Sequence, residues 1–435
     1  MGDRRLQEEG VEVLRELLRF DTVNPPGAER PAIEFLRSRF EDAGFECLEL
    51  WREDESRPNL VARLKGESPG PTLGYVGHVD TVLASPAEWT RDPWSGDVAD
   101  GQVWGRGALD MKSQVAAEVV AATALARDGW RPPAGDLLVM CVVDEEAGGY
   151  HGAQFLTEQH PDAVRCDFLL NEGGGAVIPT AERRVYSVGC AEKGVFRFTI
   201  TAEGVAGHAS MPKMGDNALL KLVPLIERMR EQPSFDLTAE PRALLTALGE
   251  APDGDPAAAL ERLRERDPRL AFVIEPTLGV TLTPTKVSAS EKINVIPSRA
   301  SVSVDCRVPP GLGAEDARRR IAEVLGDDGY TFAFDDEVPG NRSPMESSLM
   351  NAIAEWVGGE DEGAGVVPTV LPGFTDSRWF RVAFPDVVAY GFFPHRFMTL
   401  YEIAPLIHSK DERIDVRDMG VATDFYSWLP RKLLG

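Results

Sequence analysis

Imidazole and carboxylate groups that could share metal ions recur along this chain, each in a local pattern suited to that work. Gly77-His78-Val79-Asp80 follows the apolar run Leu73 to Val76, where a buried strand would end, and a ligand at a strand end is held rigidly. An imidazole that binds a cation through one nitrogen donates its other N–H to an acceptor. Asp80, two residues on and on the same side of an extended segment, is placed to be that acceptor. Asp144-Glu145-Glu146 closes the run Leu137 to Val143 and is followed by Gly148-Gly149. Adjacent Glu side chains point in different directions, so one can bind a cation while the other faces a substrate water. Asp167 to Asn171 repeats the pattern and delivers Glu172, and Gly173-Gly174-Gly175 then permit close backbone approach. His408 opens the segment His408 to Arg413, between a Pro-containing loop and the last amphipathic helix.

Gly105-Arg106-Gly107-Ala108-Leu109-Asp110-Met111-Lys112 holds the remaining acid. It has no G-K-[ST] and no full G-x-G-x-x-G, so nucleotide binding is a poor reading. A glycine-rich loop that brings Asp110 into a tight site fits better, one carboxylate oxygen to each of two cations roughly 3.5 to 4 Å apart. The set amounts to five ligands and one general base, the equipment of a two-zinc hydrolase.

Taken singly, each motif has an ordinary explanation. His-x-Asp occurs in cores and on surfaces, and three acids in a row can be a solvated turn. His160 and His395 carry no motif and read as surface or loop residues, while His151 follows the acidic turn and could support it. Gly66-Glu67-Ser68-Pro69-Gly70 matches a nucleophile elbow literally, but that elbow leads from a strand into a helix. Pro69, Pro71 and a following strand make it a turn between strands.

The frame around these residues is that of a globular enzyme. A length of 435 residues suggests two domains, or one large domain with an insertion. Hydrophobic residues at 43% suffice for a sizeable interior. A formal charge of -24 disfavours nucleic-acid and anionic-membrane partners. Cys47, Cys141, Cys166, Cys190 and Cys306 show no C-x-x-C spacing, so neither a disulfide framework nor cysteine-ligated zinc is expected. The chain starts with a charged amphipathic helix carrying Leu6, Leu14, Leu17 and Leu18, not a signal-peptide core, and no apolar stretch reaches the ~18 residues of a membrane helix. The expectation is a cytoplasmic protein.

Helix and strand patterns alternate, which predicts an α/β architecture. Helices are expected over Pro31 to Ala43, Ser113 to Arg127 and Val416 to Leu429, and strands at Leu60 to Leu64, Leu73 to Val76 and Leu137 to Val143. The last is apolar at every position, as in a strand covered on both faces. From about Glu192 a second pattern begins. Phe196 to Thr201 and Ala300 to Val308 alternate like strands, Asn217 to Arg230 and Glu315 to Leu325 read as helices, and the whole fits a β-α-β-β-α-β ferredoxin-like layer. The expected division is a catalytic domain over 1–190 and 341–435, interrupted by an inserted lid or dimerisation domain over 191–340, itself extended by an acidic insertion at about 231–276.

Gly207-His208-Ala209-Ser210-Met211-Pro212 and Asn294-Val295-Ile296-Pro297 complete a series that, with the segments above, follows one order along the chain. The series resembles the co-catalytic zinc metallopeptidase family of glutamate carboxypeptidase, succinyl-diaminopimelate desuccinylase, acetylornithine deacetylase, aminoacylase and carboxypeptidase S. The resemblance implies a zinc-peptidase-like mixed sheet sandwiched by helices, with the inserted α+β domain carrying a homodimer interface. It implies two divalent metal ions per chain, zinc with Co2+ or Mn2+ as substitutes. His78 and Glu172 would hold one, Glu146 and His408 the other, and Asp110 would bridge them ahead of a cis peptide to Met111. Glu145 would be the general base, Asp80 its catalytic companion beneath His78, and His208 the donor to the tetrahedral oxyanion, often reaching a neighbouring subunit.

The implied reaction is attack of a metal-bridged hydroxide on the amide of an N-acyl amino acid or a C-terminal peptide bond, Glu145 taking the proton and passing it to the leaving amine. Glu172, where aminopeptidase members tend to have Asp, favours a deacylase or carboxypeptidase. The alternatives are a biosynthetic desuccinylase or deacetylase and, more remotely, a catalytically silent binding protein of the same fold. The substrate, a small molecule or peptide, would bear a carboxylate. Gly373-Phe374-Thr375-Asp376-Ser377-Arg378 resembles the family's Gly-x-Thr-Asp-x-Arg segment, making Gly373, Thr375 and Arg378 candidates to bind it, the guanidinium bidentately. Asn294 and Arg307 are further candidates, and Arg307 could equally be a structural ion pair.

Overall fold

The computed structural model describes residues 4–180, 183–230, 235–251, 254–326 and 328–435. It divides into two compact units. One contains the residues up to Cys190 together with Ser343–Thr369 and Thr375–Gly435, and the other contains Ala191–Arg342 and Val370–Phe374. The division differs from the expected 341–435 segment in two places, since the first unit resumes at Ser343 and Val370–Phe374 goes with the second unit. The Lys193 amide donates to the Leu371 carbonyl at 3.0 Å, an attachment with no sequence signal.

The first unit is built on a mixed sheet in the order Glu46–Leu50, Asn59–Leu64, Leu137–Val142, Leu73–His78, Phe168–Asn171, Val388–Gly391, Arg184–Glu192, Ala176–Pro179 and His395–Thr399. Four neighbours in its middle, Leu137–Val142, Leu73–His78, Phe168–Asn171 and Val388–Gly391, run parallel. The antiparallel strands Asn59–Leu64 and Glu46–Leu50 lie beyond them. The uniformly apolar run is explained by two cores. Leu137, Val139 and Cys141 join the helices Arg4–Leu18, Arg30–Asp42, Lys112–Arg127, Ser348–Glu360 and Val416–Leu433. Leu138, Met140 and Val142 join Phe155 and Leu156 of Ala153–Gln159 and Phe380 of Ser377–Ala383. Side chains alternate across a strand, so both faces must be apolar when helices cover both.

Lys112–Arg127 is the helix most enclosed by this arrangement, buried at every position from Lys112 to Ala126. Its small Ala and Val side chains let neighbouring helices and the sheet close on it from several sides. It begins directly after the Asp110 loop, so one end of that loop is anchored in the core.

In the second unit an antiparallel sheet has Thr281–Ser288, Arg299–Val308, Phe198–Glu203 and Thr331–Phe334 side by side. The helices Ala218–Arg228 and Ala314–Leu325 complete a β-α-β-β-α-β order. Phe198, Ile200, Val302 and Val304 form its core with Leu222, Leu225, Ile321 and Val324. Among its described residues the acidic insertion holds three α-helices, Ala239–Ala247, Pro256–Arg266 and Pro268–Ile274; residues 231–234 and 252–253 lie outside the described residues.

Candidate metal centre

Three of the parallel strands finish at the same edge, and each finishes on a site residue. Leu73–His78 ends on His78, Phe168–Asn171 hands over to Glu172, and Leu137–Val142 leads through Val143 to the turn Glu145–Ala147. This carboxyl edge is where open α/β sheets collect ligands. Asp144 makes the strand-to-turn reversal with a left-handed backbone, φ 72°, a conformation open to Asp because its short polar side chain can bond locally. Behind Glu172 the strands approach too closely for any side chain, and a Cβ on Gly174 would collide with the Gly391 carbonyl.

All six residues converge. The His78 Nε2 lies 3.1 Å from Asp110 Oδ1 and 3.8 Å from Glu172 Oε1. The His408 Nε2 lies 3.0 Å from the other Asp110 oxygen, Oδ2, and 3.2 Å from Glu146 Oε2. Asp110 therefore turns one oxygen toward each imidazole. Potential ligand atoms of His78, Glu145 and Glu172 lie within 4.8 Å of one another, as do those of His78, Asp110 and Glu146. The Asp110–Met111 peptide is cis. Glu146 is steadied through its second oxygen, which accepts the Val82 amide at 3.2 Å.

Asp80 has a second job beside the one its spacing suggests. The His78 Nδ1 is 3.0 Å from the backbone carbonyl of Asp80 and 3.6 Å from its carboxylate, so the carbonyl is the nearer acceptor. The carboxylate receives the amides of Glu145 at 3.3 Å and Glu146 at 3.2 Å. Asp80 thus orients the acidic turn as well as the imidazole. Asn24, unnoticed in the sequence, donates from one amide nitrogen to Asp80 Oδ2 at 2.9 Å and to Asp144 Oδ1 at 3.1 Å. Arg57 reaches the same Asp144 oxygen at 3.2 Å and is held by Glu29 at 2.7 Å. Nothing near Asn24, Arg57 or Glu29 in the sequence marks them out; they are recognisable only once folding brings them together.

Burial and mutual proximity shift the proton affinities of these groups. Burial, with Glu172 adding to it, pushes the Glu145 carboxyl well above its ordinary range, and burial and Asp110 do the same for Glu172. Burial acts to lower the His78 imidazole, but hydrogen bonds to Asp110 and Asp80 outweigh it and raise it. Hydrogen bonds to Asp110 and Glu146 raise His408 to about 10. Carboxyls and imidazoles packed this closely shift one another's proton affinities, and a bound divalent cation would compete with those protons for the same lone pairs. The donors are hard oxygens and imidazole nitrogens with no thiolate, a set that suits divalent cations such as zinc, cobalt or manganese.

The other predicted residues fall as follows. His208 and Asn294 come together in the second unit, where Gly207–His208 pairs with Val295–Ile296 and the Ala209 amide donates to the Asn294 carbonyl at 3.1 Å. Both are exposed, and the His208 Nδ1 lies 2.8 Å from the Ser210 hydroxyl. Arg307, in the same unit, is gripped by Asp305 at 2.7 and 3.2 Å, which is the ion-pair arm of its two readings. Gly373 also belongs to the second unit. Thr375 and Arg378 belong to the first. The Thr375 hydroxyl is buried and accepts from Asn171 Nδ2 at 3.1 Å, tying this segment to the strand that carries Glu172. The Arg378 guanidinium lies over the Trp379 ring at 4.6 Å.

His395 departs from its reading as a surface or loop residue, being buried in a strand with its ring 4.7 Å from that of Phe393. The apolar surroundings of Phe392 and Phe393 draw it inward. His151 contributes its backbone, its amide donating to Asp144 Oδ2 at 3.0 Å and its carbonyl accepting from Asn59 at 2.9 Å. Ser68 is in a turn and donates to the Pro133 carbonyl at 2.7 Å.

A parallel-centred sheet between helix layers, an inserted ferredoxin-like unit and a carboxylate shared between two imidazoles define a dinuclear metallohydrolase. The chain belongs to peptidase family M20/M25/M40, whose model matches residues 74–432. It is 27% identical over 417 residues to a succinyl-diaminopimelate desuccinylase of Cereibacter sphaeroides, covering 93% of this chain and 94% of that one. It is 28% identical over 388 residues to a probable carboxypeptidase S-like protein of Dictyostelium discoideum, covering 85% and 73%. Its fold matches the M20 metallo-carboxypeptidase Sso-CP2 of Sulfolobus solfataricus with a TM-score of 0.71 over 98% of this chain and 99% of that one, at 16% identity.

Proposed function

We propose that the chain is a two-zinc amidohydrolase that cleaves the amide of an N-acyl amino acid or a C-terminal peptide bond and releases a free amino acid. The observation that carries this reading is Asp110, whose two oxygens lie 3.1 Å and 3.0 Å from the imidazoles of His78 and His408. In the proposal His78 and Glu172 hold one cation, Glu146 and His408 the other, and Asp110 both. When bound, the pair of cations supplies Lewis acidity, acidifying a water toward neutrality and polarising the scissile carbonyl.

The protein's own groups do the rest. Glu145, beside Glu172 and His78, accepts a proton from the attacking water and returns it to the leaving amine. Asp80 keeps Glu145 and Glu146 aimed through their amides. His208 is assigned as donor to the developing oxyanion. Arg378 and Asn294 are assigned to the substrate carboxylate, with Gly373 and Thr375 shaping the segment before Arg378.

We further assign a homodimer formed through the inserted unit, where large apolar side chains such as Val205, Met211, Met214, Leu220 and Ile293 are exposed. A cytoplasmic setting suits five cysteines that are all free. Among the described residues no helix is long and apolar enough to cross a membrane.

The desuccinylase relative, aligned along 93% of this chain, supports a second reading as a biosynthetic deacylase. One experiment separates the two. N-succinyl-diaminopimelate, N-acetylornithine, N-acyl amino acids and dipeptides are assayed side by side on the zinc-loaded enzyme, together with Glu145→Ala and His208→Ala. The expected result is two metal ions per chain, turnover of N-acyl amino acids or dipeptides well ahead of N-succinyl-diaminopimelate and N-acetylornithine, the reverse order favouring the second reading, and a loss of about 100- to 10,000-fold in kcat on removing the base. His208→Ala should lower kcat more than it raises KM. Fewer than one metal ion per chain, or undiminished turnover by Glu145→Ala, overturns the proposal.

A further inference from the structure

Glu412 lies four residues after His408, fully buried, and its carboxylate collects four donors. Oε1 accepts the amides of Leu109 at 2.6 Å and Asp110 at 3.0 Å; Oε2 accepts the Gly107 amide at 3.2 Å and Arg106 Nη1 at 2.5 Å. Its own backbone carbonyl accepts the Gly105 amide at 3.0 Å. One side chain therefore organises nearly the whole Gly105–Asp110 loop.

Arg106 extends the clamp. Its Nη2 donates to the Ser409 carbonyl at 3.0 Å and approaches the Leu83 carbonyl at 3.4 Å, and its guanidinium lies over the Trp89 ring at 5.2 Å. Asp411 adds a second tie, accepting the Thr90 amide at 2.7 Å and the Thr90 hydroxyl at 2.8 Å. The loop after His78, the loop carrying Asp110 and the loop carrying His408 are thus joined through residues that bind no cation themselves. His408 needs such support: it is half-exposed, has a left-handed backbone at φ 58°, and lies in a turn between short elements.

We infer that Glu412 is a positioning residue that sets His408 against Asp110, and so fixes the affinity of the cation that His408 helps to hold. The inference rests on the two-cation reading of the site. Its distinctive consequence is asymmetry. The Asp110 loop keeps its own bonds without Glu412, from the Ala108 amide to the Gly105 carbonyl at 3.1 Å and from the Lys112 amide to the Gly107 carbonyl at 2.9 Å. It also continues into the buried helix Lys112–Arg127. The His408 loop has the Ser409 amide to the Leu406 carbonyl at 3.0 Å and the Asp411 tie to Thr90, but does not lead directly into a buried helix, so loosening the clamp releases His408 before Asp110. Glu412→Gln is a suitable lesion, because it keeps the side chain's size but turns an NH2 toward donors that need an acceptor.

The test titrates the metal-free full-length chain with Co2+, following heat and visible absorption. His408→Ala identifies which of two equivalents belongs to His408. Supporting groups around metal ligands typically govern about 10- to 100-fold in affinity. Glu412→Gln should therefore weaken the His408 equivalent by that factor, change its absorption band, and leave the other within about a tenth of that loss. Equal weakening of both equivalents, or of neither, overturns the inference. If Glu412→Gln does not fold by circular dichroism, Arg106→Lys, which keeps the charge but loses the fork, should show the same split; two unfolded variants would make the clamp a folding element and also overturn the inference. A wild-type chain that takes up fewer than two Co2+ ions would instead refute the two-cation reading itself.

Discussion

Asn24 illustrates how a residue with no chemistry of its own can govern a site. Its amide stands between the carboxylates of Asp80 and Asp144 at 2.9 and 3.1 Å, and Asn24 is only 6% exposed. Without that donor, two buried acids face each other, Asp80 left to His78 and the Glu145 and Glu146 amides and Asp144 to Arg57 and the His151 amide. Asn24→Asp would add a third carboxylate there, and an uncompensated buried charge costs about 3 to 5 kcal/mol. The expected outcome is a lower melting temperature together with kcat/KM reduced by ~10- to 100-fold through misdirected Glu145 and Glu146; Asn24→Ser, retaining a donor, should recover part of both. Equal activity of wild type and Asn24→Asp would show that Asp80 needs no such partner. Four of the five ligand candidates, His78, Asp110, Glu146 and Glu172, stand out in the sequence because each follows an apolar run or lies in a glycine-rich loop; His408, after a Pro-containing loop, stands out mainly through the resemblance. Their holders do not, since Glu412 is 302 residues from Asp110 and Asn24 is 120 from Asp144. Local pattern carries no trace of bonds that long. The same limit applies to Asp80, where spacing identified the right neighbour of His78 but could not tell its carbonyl from its carboxylate.

Elements were read more faithfully than contacts because a helix or strand repeats its signal several times. The helix expected at Ser113 to Arg127 is found at Lys112–Arg127, and the strand expected at Leu60 to Leu64 at Asn59–Leu64. What periodicity concealed is a charge inside the first of these. Glu118 faces the core, and among the described residues its carboxylate accepts one hydrogen bond, from Gln114 at 2.8 Å. Burial pushes its carboxyl up to about 8 from 4.5. A group raised on folding contributes stability that is fully present below the unfolded value and is lost as pH climbs through the folded one. The folded chain therefore loses stability from Glu118 between about pH 4.5 and pH 8, at about 1.4 kcal/mol per pH unit at most. Glu118→Gln cannot titrate, so its unfolding free energy relative to wild type should rise across that window and level off above it. Chemical denaturation of both proteins at pH 5, 7 and 9 measures the difference; a constant difference would mean that Glu118 ionises in the core as easily as in the open chain.

Across the whole chain, the feature that composition showed and folding did not remove is an excess of 24 negative charges. The surface carries many arginine–carboxylate pairs, among them Arg37 with Glu41 at 2.7 Å and Arg264 with Glu275 at 3.0 Å, but exposed pairs of this kind contribute only about 0 to 1 kcal/mol each. Acids outnumber basic residues 70 to 46, so pairing cannot neutralise the field, and self-repulsion opposes the compact state. Salt acts on the two contributions in opposite directions. It weakens local attraction within pairs and weakens repulsion among unpaired acids. Because the unpaired acids are in excess and spread over both units, the long-range repulsion should respond more, as screening shortens from ~30 Å at 0.01 M to ~10 Å at 0.1 M and ~3 Å at 1 M. The melting temperature should accordingly rise with sodium chloride, most steeply below about 0.2 M, where the screening length changes fastest. The measurement belongs on the metal-loaded chain, so that the acidic centre is already neutralised and only the surface is read. A melting temperature that falls steadily with salt would show that the ion pairs, and not the excess charge, dominate the surface of this enzyme.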